Sequence, residues 1–207
     1  MKQQSKVWDR FAKRYAKSPV ADKDAYQKKL QVTREYLRPD MEVLEFGCGT
    51  GSTAIAHAPY VKHIQAVDIS PKMLAIAQGK VDAKNINNIT FALSGIEDFS
   101  VADRSFDVVM GHSILHLVED KEKVIAKVHD LLKPGGIFVS STVCMGGAHI
   151  VLRVVLPIGG FLGLLPLFKF FSVKELADSI VDAGFEIEHQ WQPGKGKSVF
   201  IVAKKSG

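Results

Sequence analysis

The chain has 207 residues, 46% of them apolar, which is enough to bury one substantial core and predicts a single domain over residues 1–207. Its 27 basic and 22 acidic side chains give a net charge of +5, without an arginine-rich arm or a basic stripe with interleaved aromatics. The charge pattern therefore favours solvated helix faces over a nucleic-acid surface as the explanation of the excess positive charge. The two cysteines, Cys48 and Cys144, do not have the spacing of a metal site and are interpreted as reduced thiols. The first residues are polar and do not resemble the apolar core of a secretion signal, so we expect a cytoplasmic protein.

The first 38 residues predict helices. Trp8, Phe11 and Tyr15 recur at helical spacing, and residues 26–37 continue a similar period until Pro39 ends it. We therefore expect an N-terminal helical segment over residues 1–38, ahead of the first strand.

A nucleoside-binding βαβ unit follows. Residues 41–44 predict a buried strand, residues 45–51 read Glu-Phe-Gly-Cys-Gly-Thr-Gly, and a short helix is expected over 52–57. A second strand, residues 64–67, ends in Asp68. Alternate glycines let backbone amides approach a ligand, and an acid at the second strand's end can bind both ribose hydroxyls.

The acid that precedes the glycines argues against a dinucleotide. A dinucleotide fingerprint has a third glycine where this chain has Ser52, and a pyrophosphate needs unshielded amides at a helix N-terminus. The carboxylate of Glu45 would repel a phosphate, whereas it suits a ligand that carries an ammonium or a sulfonium.

Strands and helices alternate along the rest of the chain. The pattern predicts a helix opened by Ser70-Pro71, strands 89–93 and 106–110, a helix 121–132, a turn 133–136, a strand 137–141, a helix with a capping box from Ser172 to Gly184, and strands 185–189 and 198–203. This alternation predicts an α/β fold, a doubly wound and mostly parallel sheet with helices on both faces, closed by an antiparallel hairpin.

Between Trp8 and Val202 the chain resembles the class I S-adenosylmethionine-dependent methyltransferase family, of the type that acts on small-molecule acceptors. The resemblance rests on the Glu-x-Gly-x-Gly-x-Gly motif at residues 45–51, on Asp68, and on the Lys-Pro-Gly-Gly turn at 133–136. It implies seven strands in the order 3-2-1-4-5-7-6 with strand 7 antiparallel. It also implies S-adenosylmethionine as cofactor and S-adenosylhomocysteine as product.

The resemblance implies a set of cofactor-binding residues, namely Tyr15, Glu45, Gly47, Cys48, Gly49, Asp68, Ile69, Met73, Ile96, Glu97 and His112. In this assignment Glu45 lies near the methionine ammonium and Asp68 binds the ribose, while Ile69 and Met73 pack on the adenine. Plain alternatives exist, because Asp68 also suits a helix-capping acid and Met73 an ordinary core position.

Two regions modify that assignment. The family usually has an acid for the adenine amino group where this chain has Gly95, so we expect recognition through the Ile96 amide and packing, with Glu97 as a substitute carboxylate. The helix from Trp8 to Tyr15 resembles the family's lid, in which the tyrosine ring covers the methionine end and favours a sulfonium. A plain amphipathic helix explains Trp8 equally well.

His112 and His116 follow the fourth strand, at the edge where such sheets bind ligands. They are four residues apart, but no third ligand is evident, so we expect no metal. His116 is the candidate catalytic residue, as a general base for the acceptor, and the alternative is a histidine that only shapes the acceptor pocket.

Residues 143–171 form the most apolar segment of the chain. Arg153, Pro157, the Gly159-Gly160 pair and Pro166 argue against a membrane span. We interpret the segment as a cap over an apolar or aromatic acceptor, with a quinone-like or lipid-like molecule as one hypothesis. A peripheral membrane contact or a subunit interface would also explain it.

The leading hypothesis is therefore transfer of a methyl group from S-adenosylmethionine to an oxygen, nitrogen or carbon of a small, largely apolar acceptor. The alternatives are an RNA or protein methyltransferase and a regulatory protein that binds the cofactor without turnover. No Asn/Asp-Pro-Pro-Tyr tetrad follows strand four, which disfavours a nucleic-acid substrate. Both a monomer and a homodimer are compatible with the sequence.

Overall fold

The computed structural model describes residues 2–147, 149–194 and 196–206. Within these ranges the helices are α1 (Lys2–Lys17), α2 (Lys23–Arg34), α3 (Ser52–His57), α4 (Pro71–Ala83), α5 (Lys121–Leu131), α6 (Ile150–Phe161) and α7 (Val173–Asp182). The strands are β1 (Glu42–Phe46), β2 (His63–Asp68), β3 (Ile89–Leu93), β4 (Phe106–His112), β5 (Leu132–Val143), β6 (Phe185–Trp191) and β7 (Ser198–Lys205).

The strands form one sheet in the order β3-β2-β1-β4-β5-β7-β6. The first five strands pair in parallel, and β7 is antiparallel to both of its neighbours, β5 and β6. This is the order and orientation that the sequence predicts, so the predicted fold is confirmed.

Apolar side chains cover both faces of the sheet. On one face, Ile125 of α5 and Leu176 of α7 pack against strand residues such as Phe138. On the other, Ala54 of α3 and Val81 of α4 pack against the sheet. Because both faces are covered, the central strands read as nearly continuous apolar runs, as expected for parallel strands buried on both sides.

Several strand boundaries differ from the sequence prediction. β1 extends through Phe46 and β4 through His112, so both strands reach further toward the ligand-binding edge than expected. The predicted turn at 133–136 is wrong, because these residues belong to β5, which begins at Leu132. An irregularity between Phe106 and Val108 of the neighbouring strand accommodates this Pro-Gly stretch within the ladder.

Local signals account for most helix boundaries. Asp22, Ser70 and Asp120 cap α2, α4 and α5, each accepting a hydrogen bond from a backbone N–H of the first turn. Ser172 and Glu175 form the predicted capping box of α7. The predicted segment 1–38 resolves into α1 and α2, of which only α1 contributes residues to the cavity described below.

The apolar segment after β5 contains α6, a helix of 12 residues with Pro157 inside it. Within the described ranges no helix has both the length and the hydropathy of a membrane span. α6 is tied to α1, because the side-chain amides of Gln3 and Gln4 donate to the carbonyl groups of Phe161 and Gly160.

Candidate active site

A cavity of about 650 Å³ opens at the carboxyl ends of β1, β2 and β4. Its walls come from the glycine turn after β1, the end of β2, the β3–β4 connection, the end of β4, helix α1 and the segment after β5. The volume is in the range that cofactor and substrate pockets of enzymes usually have. The cavity lies at the edge where open parallel sheets bind their ligands.

The glycine turn presents its backbone to this cavity. Gly47 and Gly49 have φ angles of 63° and 53°, a left-handed conformation that other residues rarely adopt. A Cβ atom at Gly49 would meet only the Tyr15 ring, at 3.9 Å, so ligand-sized space lies beside this residue. At Gly47 the steric reason is different, because a Cβ atom there would lie 2.7 Å from the Ile114 side chain.

Asp68 links the end of β2 to the glycine turn. One carboxylate oxygen accepts from the Gly49 N–H at 2.8 Å, and the other accepts from the Ser70 N–H at 2.8 Å. Burial raises the pKa of Asp68, and the backbone donors of Ser70, Gly49 and Ile69 oppose that rise. The carboxylate lines the cavity and keeps free lone pairs, so it can accept from ligand hydroxyl groups.

Glu45 lies on β1, only 2% exposed, and behind the cavity wall rather than on it. Its Oε2 is buried without a hydrogen-bond partner. Burial, with a smaller contribution from the charge of Asp68, raises the pKa of Glu45 to about 8, against the Ala54 backbone donor that lowers it. An unpaired buried carboxyl group is costly, and a cationic ligand nearby would relieve that cost.

Cys48 has a structural position in the glycine turn, where its N–H donates to the Val67 carbonyl at 3.1 Å. The side chain is buried, its Sγ lies 3.9 Å from the Gly49 carbonyl oxygen, and it is not part of the cavity wall. Burial, followed by the charges of Glu45 and Asp68, raises the pKa of the thiol well above its ordinary value. The thiol is therefore protonated and unreactive at neutral pH.

Helix α1 covers the cavity from one side. Gln4, Trp8 and Tyr15 line it, and the rings of Trp8 and Tyr15 meet edge to face with centroids 6.4 Å apart. The pKa of Tyr15 is raised by burial and then by the charges of Glu45 and Asp68. This electrostatic environment suits a cation beneath the ring.

Asp9 fixes α1 in this position, a role that the sequence analysis missed. Its Oδ1 accepts from the Ser70 hydroxyl at 2.6 Å and from the Lys72 N–H at 3.1 Å, so it caps the N-terminus of α4 together with Ser70. The sequence did contain an indication of this role, since Asp9 directly follows Trp8 in the helix that resembles the family's lid.

The residues assigned to adenine lie together on one part of the cavity wall. Ile69 and Met73 follow β2, and Gly95, Ile96 and Glu97 follow β3. Met73 and Ile96 are almost fully buried, at 2% and 3% exposure. The Glu97 carbonyl accepts from Lys127 Nζ at 2.9 Å, which holds this loop against α5.

Both histidines line the cavity, but they do not share a helix. His112 ends β4, and His116 lies in the turn that follows. Burial lowers the pKa of His112 to about 3, with smaller effects from His57 and Lys29, and burial lowers that of His116 to about 4. Nε2 of His112 and Nδ1 of His116 are buried without partners, so each neutral ring retains hydrogen-bonding capacity.

The opposite wall of the cavity is apolar. It is formed by Leu156 of α6 and by Leu165, Leu167 and Phe168 of the following segment. The ring of Phe168 packs against His116, with centroids 4.9 Å apart. The cavity thus combines polar groups suited to a nucleoside with an apolar wall next to a neutral histidine.

Nothing in the described part of the chain forms a metal site, since no group of three or more His, Cys, Asp or Glu side chains converges there. A further polar contact that the sequence did not suggest joins Lys29 to Ser141, with Nζ 2.7 Å from Oγ. It lies behind His112, which is paired with Ser141 across β4 and β5.

Comparison with known proteins agrees with this geometry. The chain is 33% identical to the ubiquinone biosynthesis O-methyltransferase of Thiobacillus denitrificans, over 71% of this chain and 65% of that protein. It is 28% identical to the demethylmenaquinone methyltransferase of Symbiobacterium thermophilum, over 81% of this chain and 69% of that protein. The crystal structure of the YcgJ protein of Bacillus subtilis has a similar fold, with a TM-score of 0.72 at 17% identity over 87% of this chain and 99% of that chain.

Several other curated relatives match over only 26% to 45% of their own length, so the chain spans less than half of those proteins. The family described as "Methyltransferase domain" matches residues 37–200, from the end of the N-terminal helices into β7. The match includes the glycine turn, Asp68, both histidines and the apolar segment. The chain therefore belongs to the methyltransferase domain family, and the predicted family is confirmed.

Proposed function

We propose that this protein transfers a methyl group from S-adenosylmethionine to a small, largely apolar and aromatic acceptor that carries a hydroxyl group. The observation that carries the proposal is the composition of the cavity. Its nucleoside-type wall, with Gly49 and Asp68, faces the same space as an apolar wall with Leu156, Leu167 and Phe168. An acceptor that packs on the second wall would lie next to a methyl donor held by the first.

The residues present fit the cofactor. Asp68 would accept hydrogen bonds from the ribose hydroxyl groups, and Ile69 and Met73 would pack on the adenine. The open space beside Gly49 would let the cofactor lie against the backbone of the glycine turn. The unpaired Oε2 of Glu45 would favour the ammonium group, and Tyr15 would cover the site. When bound, the cofactor supplies a methyl group activated by its sulfonium, so the protein's task is to position, to exclude water and to accept a proton.

His116 is the group that we assign to the acceptor. Its buried Nδ1 has no partner, and its ring packs on Phe168 of the apolar wall. Because the pKa of His116 is lowered to about 4, the imidazole is neutral at pH 7 and can accept a hydrogen bond from a hydroxyl group. As the hydroxyl loses its proton during transfer, that nitrogen would receive it.

Two relatives support the acceptor class. The names of the ubiquinone biosynthesis O-methyltransferase and the demethylmenaquinone methyltransferase both refer to quinones, and quinones in their reduced form are phenols. An apolar wall that holds an aromatic ring close to a hydrogen-bond acceptor suits such a molecule. We therefore extend the proposal to a quinol-like or phenolic acceptor and to methylation on oxygen.

The test is methyl transfer from radiolabelled S-adenosylmethionine to a panel of hydrophobic phenols and quinols, with transfer RNA, ribosomal RNA and a protein extract as parallel acceptors. We expect label in the organic phase for the phenolic panel. The His116→Ala variant should lose about 10²- to 10⁴-fold in kcat, the usual contribution of a general base, while cofactor affinity is retained. His57→Ala, a buried histidine outside the cavity wall, is the matched control.

Label that enters RNA or protein alone would replace this proposal with the macromolecular alternative. Cofactor binding without transfer to any acceptor of the panel would favour a regulatory protein. A kcat for His116→Ala equal to that of the wild type would remove His116 from proton transfer and leave it a residue that shapes the pocket.

The cellular setting is part of the same proposal. We propose a cytoplasmic location. The two cysteines of the described residues, Cys48 and Cys144, are both free, which is consistent with a reducing compartment. Fractionation of cells that express a tagged full-length chain tests the location. A membrane or a second copy of the chain would meet a different surface, the outer side of α6.

A further inference from the structure

The outer side of α6 is apolar and exposed. Six side chains, each between 49% and 84% exposed, make up this outer face: Ile150, Val151, Val154, Val155, Ile158 and Phe161. At 100° per residue they fall within one arc of about 140°. Arg153 is the only charged residue of α6, and it lies outside that arc, where its guanidinium donates to the Gly146 carbonyl at 3.0 Å.

The inner side of α6 is fixed to the protein. Gly159 and Gly160 are buried, and a Cβ atom at Gly159 would lie 2.7 Å from the Leu165 side chain. Leu156 faces the cavity. The outer face is therefore held toward the surroundings. A contiguous apolar face of this kind marks an interaction site rather than the usual scatter of exposed apolar residues.

The length of α6 excludes one way of burying this face. Its 12 residues span about 18 Å at 1.5 Å per residue, whereas a helix needs about 30 Å to cross the hydrocarbon core of a bilayer. A short helix with an apolar face can instead lie in the plane of the bilayer surface, with that face in the boundary between headgroups and acyl chains.

Helix α1 places positive charge beside this face. Five exposed cations of α1 fall within one arc of about 100° when plotted at helical spacing, namely Lys6, Arg10, Lys13, Arg14 and Lys17. Gln3 and Arg10, which lie on that side of α1, donate to the carbonyls of Phe161 and Gly163 at the end of α6. The acid of α1, Asp9, is turned away and is bonded to Ser70 and Lys72.

Charge decides between the two partners that could cover the outer face. In a two-fold dimer the identical surface of the second copy would carry the same cations and offer them no opposite charge. Anionic headgroups would instead complement these cations. We propose that the outer face of α6 and the basic side of α1 together form a docking surface for an anionic phospholipid bilayer.

The test is flotation of the full-length chain with vesicles of pure phosphatidylcholine and with vesicles of an equal mixture of phosphatidylcholine and phosphatidylglycerol. We expect most of the protein to float with the anionic vesicles and much less with the neutral ones. Because exposed charges are screened over about 10 Å at 0.1 M salt and over about 3 Å at 1 M, high salt should weaken the binding.

Two variants separate the parts of the surface. Ile158→Ser combined with Phe161→Ser should lower the partition constant by about tenfold or more for both kinds of vesicle. Lys6→Glu combined with Lys13→Glu should lower it for anionic vesicles only. Two control variants should bind as the wild type does: Val181→Ser, 52% exposed on α7, and Lys204→Glu on β7, where Lys204 is paired with Ile137 of β5.

The proposal falls if the wild type stays unbound with anionic vesicles, or if the control variants weaken binding as much as the α6 variant. It also falls if the chain elutes as a dimer that the α6 variant converts to a monomer. Titration of the same variants with S-adenosylmethionine keeps this result apart from the proposed activity, since none of the substituted residues lines the cavity.

Discussion

The two carboxyl groups near the glycine turn differ in how the protein satisfies them. Asp68 accepts two backbone hydrogen bonds at 2.8 Å, whereas Oε2 of Glu45 is buried without any partner. Asp68 is therefore part of the folded framework even without a ligand. Glu45 has a capacity that only a bound ligand would use.

This difference predicts a proton release that belongs to Glu45. Since the pKa of Glu45 is about 8, the group is mostly protonated at pH 7 in the free protein. A ligand ammonium favours the ionised form, so binding of S-adenosylmethionine at pH 7 should release close to one proton. Calorimetric titration in phosphate and in Tris, which differ in ionisation enthalpy, measures that number. Glu45→Gln should abolish the release and weaken binding about tenfold or more; an unchanged proton count would contradict the assignment.

The same pKa predicts how stability depends on pH. The pKa of Glu45 in the folded protein lies above its ordinary value of 4.5. Its contribution is therefore fully favourable below pH 4.5 and is lost as the pH rises to about 8. Without ligand, Glu45→Gln should gain free energy of unfolding relative to the wild type between pH 5 and pH 8. Urea unfolding at both pH values checks this, and a constant difference would contradict it.

Asp68 makes a prediction with two readouts. Asp68→Ala should weaken cofactor binding by at least about 100-fold, because two hydrogen bonds to a charged group are lost. It should also lower the free energy of unfolding by about 1–3 kcal/mol, because the Gly49 N–H loses its partner. Asp107→Asn is the control. Its carboxylate accepts from the Glu42 N–H at 2.8 Å at the other end of the sheet, so it should affect stability alone.

Among the elements, α1 is held over the cavity by contacts at both of its flanks, and Asp9 makes the contact with α4. Asp9 joins α1 to the start of α4 through the Ser70 hydroxyl and the Lys72 N–H. Tyr15 lies two turns further along the same helix and lines the cavity. Release of the Asp9 contact would therefore move Tyr15, the residue that we propose covers the cofactor.

Asp9→Ala should raise the dissociation constant of S-adenosylmethionine about three- to tenfold, mainly through faster dissociation. It should also make α1 more sensitive to limited proteolysis. Stopped-flow displacement and timed digestion measure the two effects. Asp24→Ala, at an exposed acid in the first turn of α2, is the control. Equal dissociation rates for both variants and the wild type would show that α1 does not act as a lid.

Several elements show where local patterns were sufficient. The caps of α4 and α7 were predictable, since a side-chain cap and a backbone N–H three residues later are set by the local chain. The Pro-Gly stretch at 133–136 was not. Its place within β5 depends on an irregular ladder with β4, which is a contact between distant residues.

At the scale of the whole molecule, cofactor binding should raise the melting temperature. A ligand at 100 times its dissociation constant adds about 2.7 kcal/mol, which corresponds to about 5–10 °C for a chain of this size. Differential scanning fluorimetry should show this shift with S-adenosylmethionine and with S-adenosylhomocysteine, but not with NAD, because a pyrophosphate provides no cation for the unpaired Oε2 of Glu45. The Asp68→Ala variant should lack the shift. Stabilisation by NAD would contradict our interpretation of the glycine turn.

Three features could be predicted from sequence patterns: the order of strands and helices along the chain, the glycine turn, and the place of Asp68 at the end of β2. These features follow from short-range rules: backbone conformations open to glycine, the alternation of apolar residues, and the fixed geometry of a βαβ unit. For this reason the resemblance to the family could be recognised, and the family and the strand order that the resemblance implies are both confirmed.

The contacts between side chains that are far apart in the sequence depend on tertiary packing and could not be predicted from local patterns. Asp9 meets Ser70, Lys29 meets Ser141, and His116 packs on Phe168 because helices and loops converge at one edge of the sheet. The low pKa of His116 depends on how deeply it is buried, which no local pattern encodes. The exposure of α6 is a similar case. A helix that is apolar on nearly every side gives no periodic signal, so only its packing shows which face remains open.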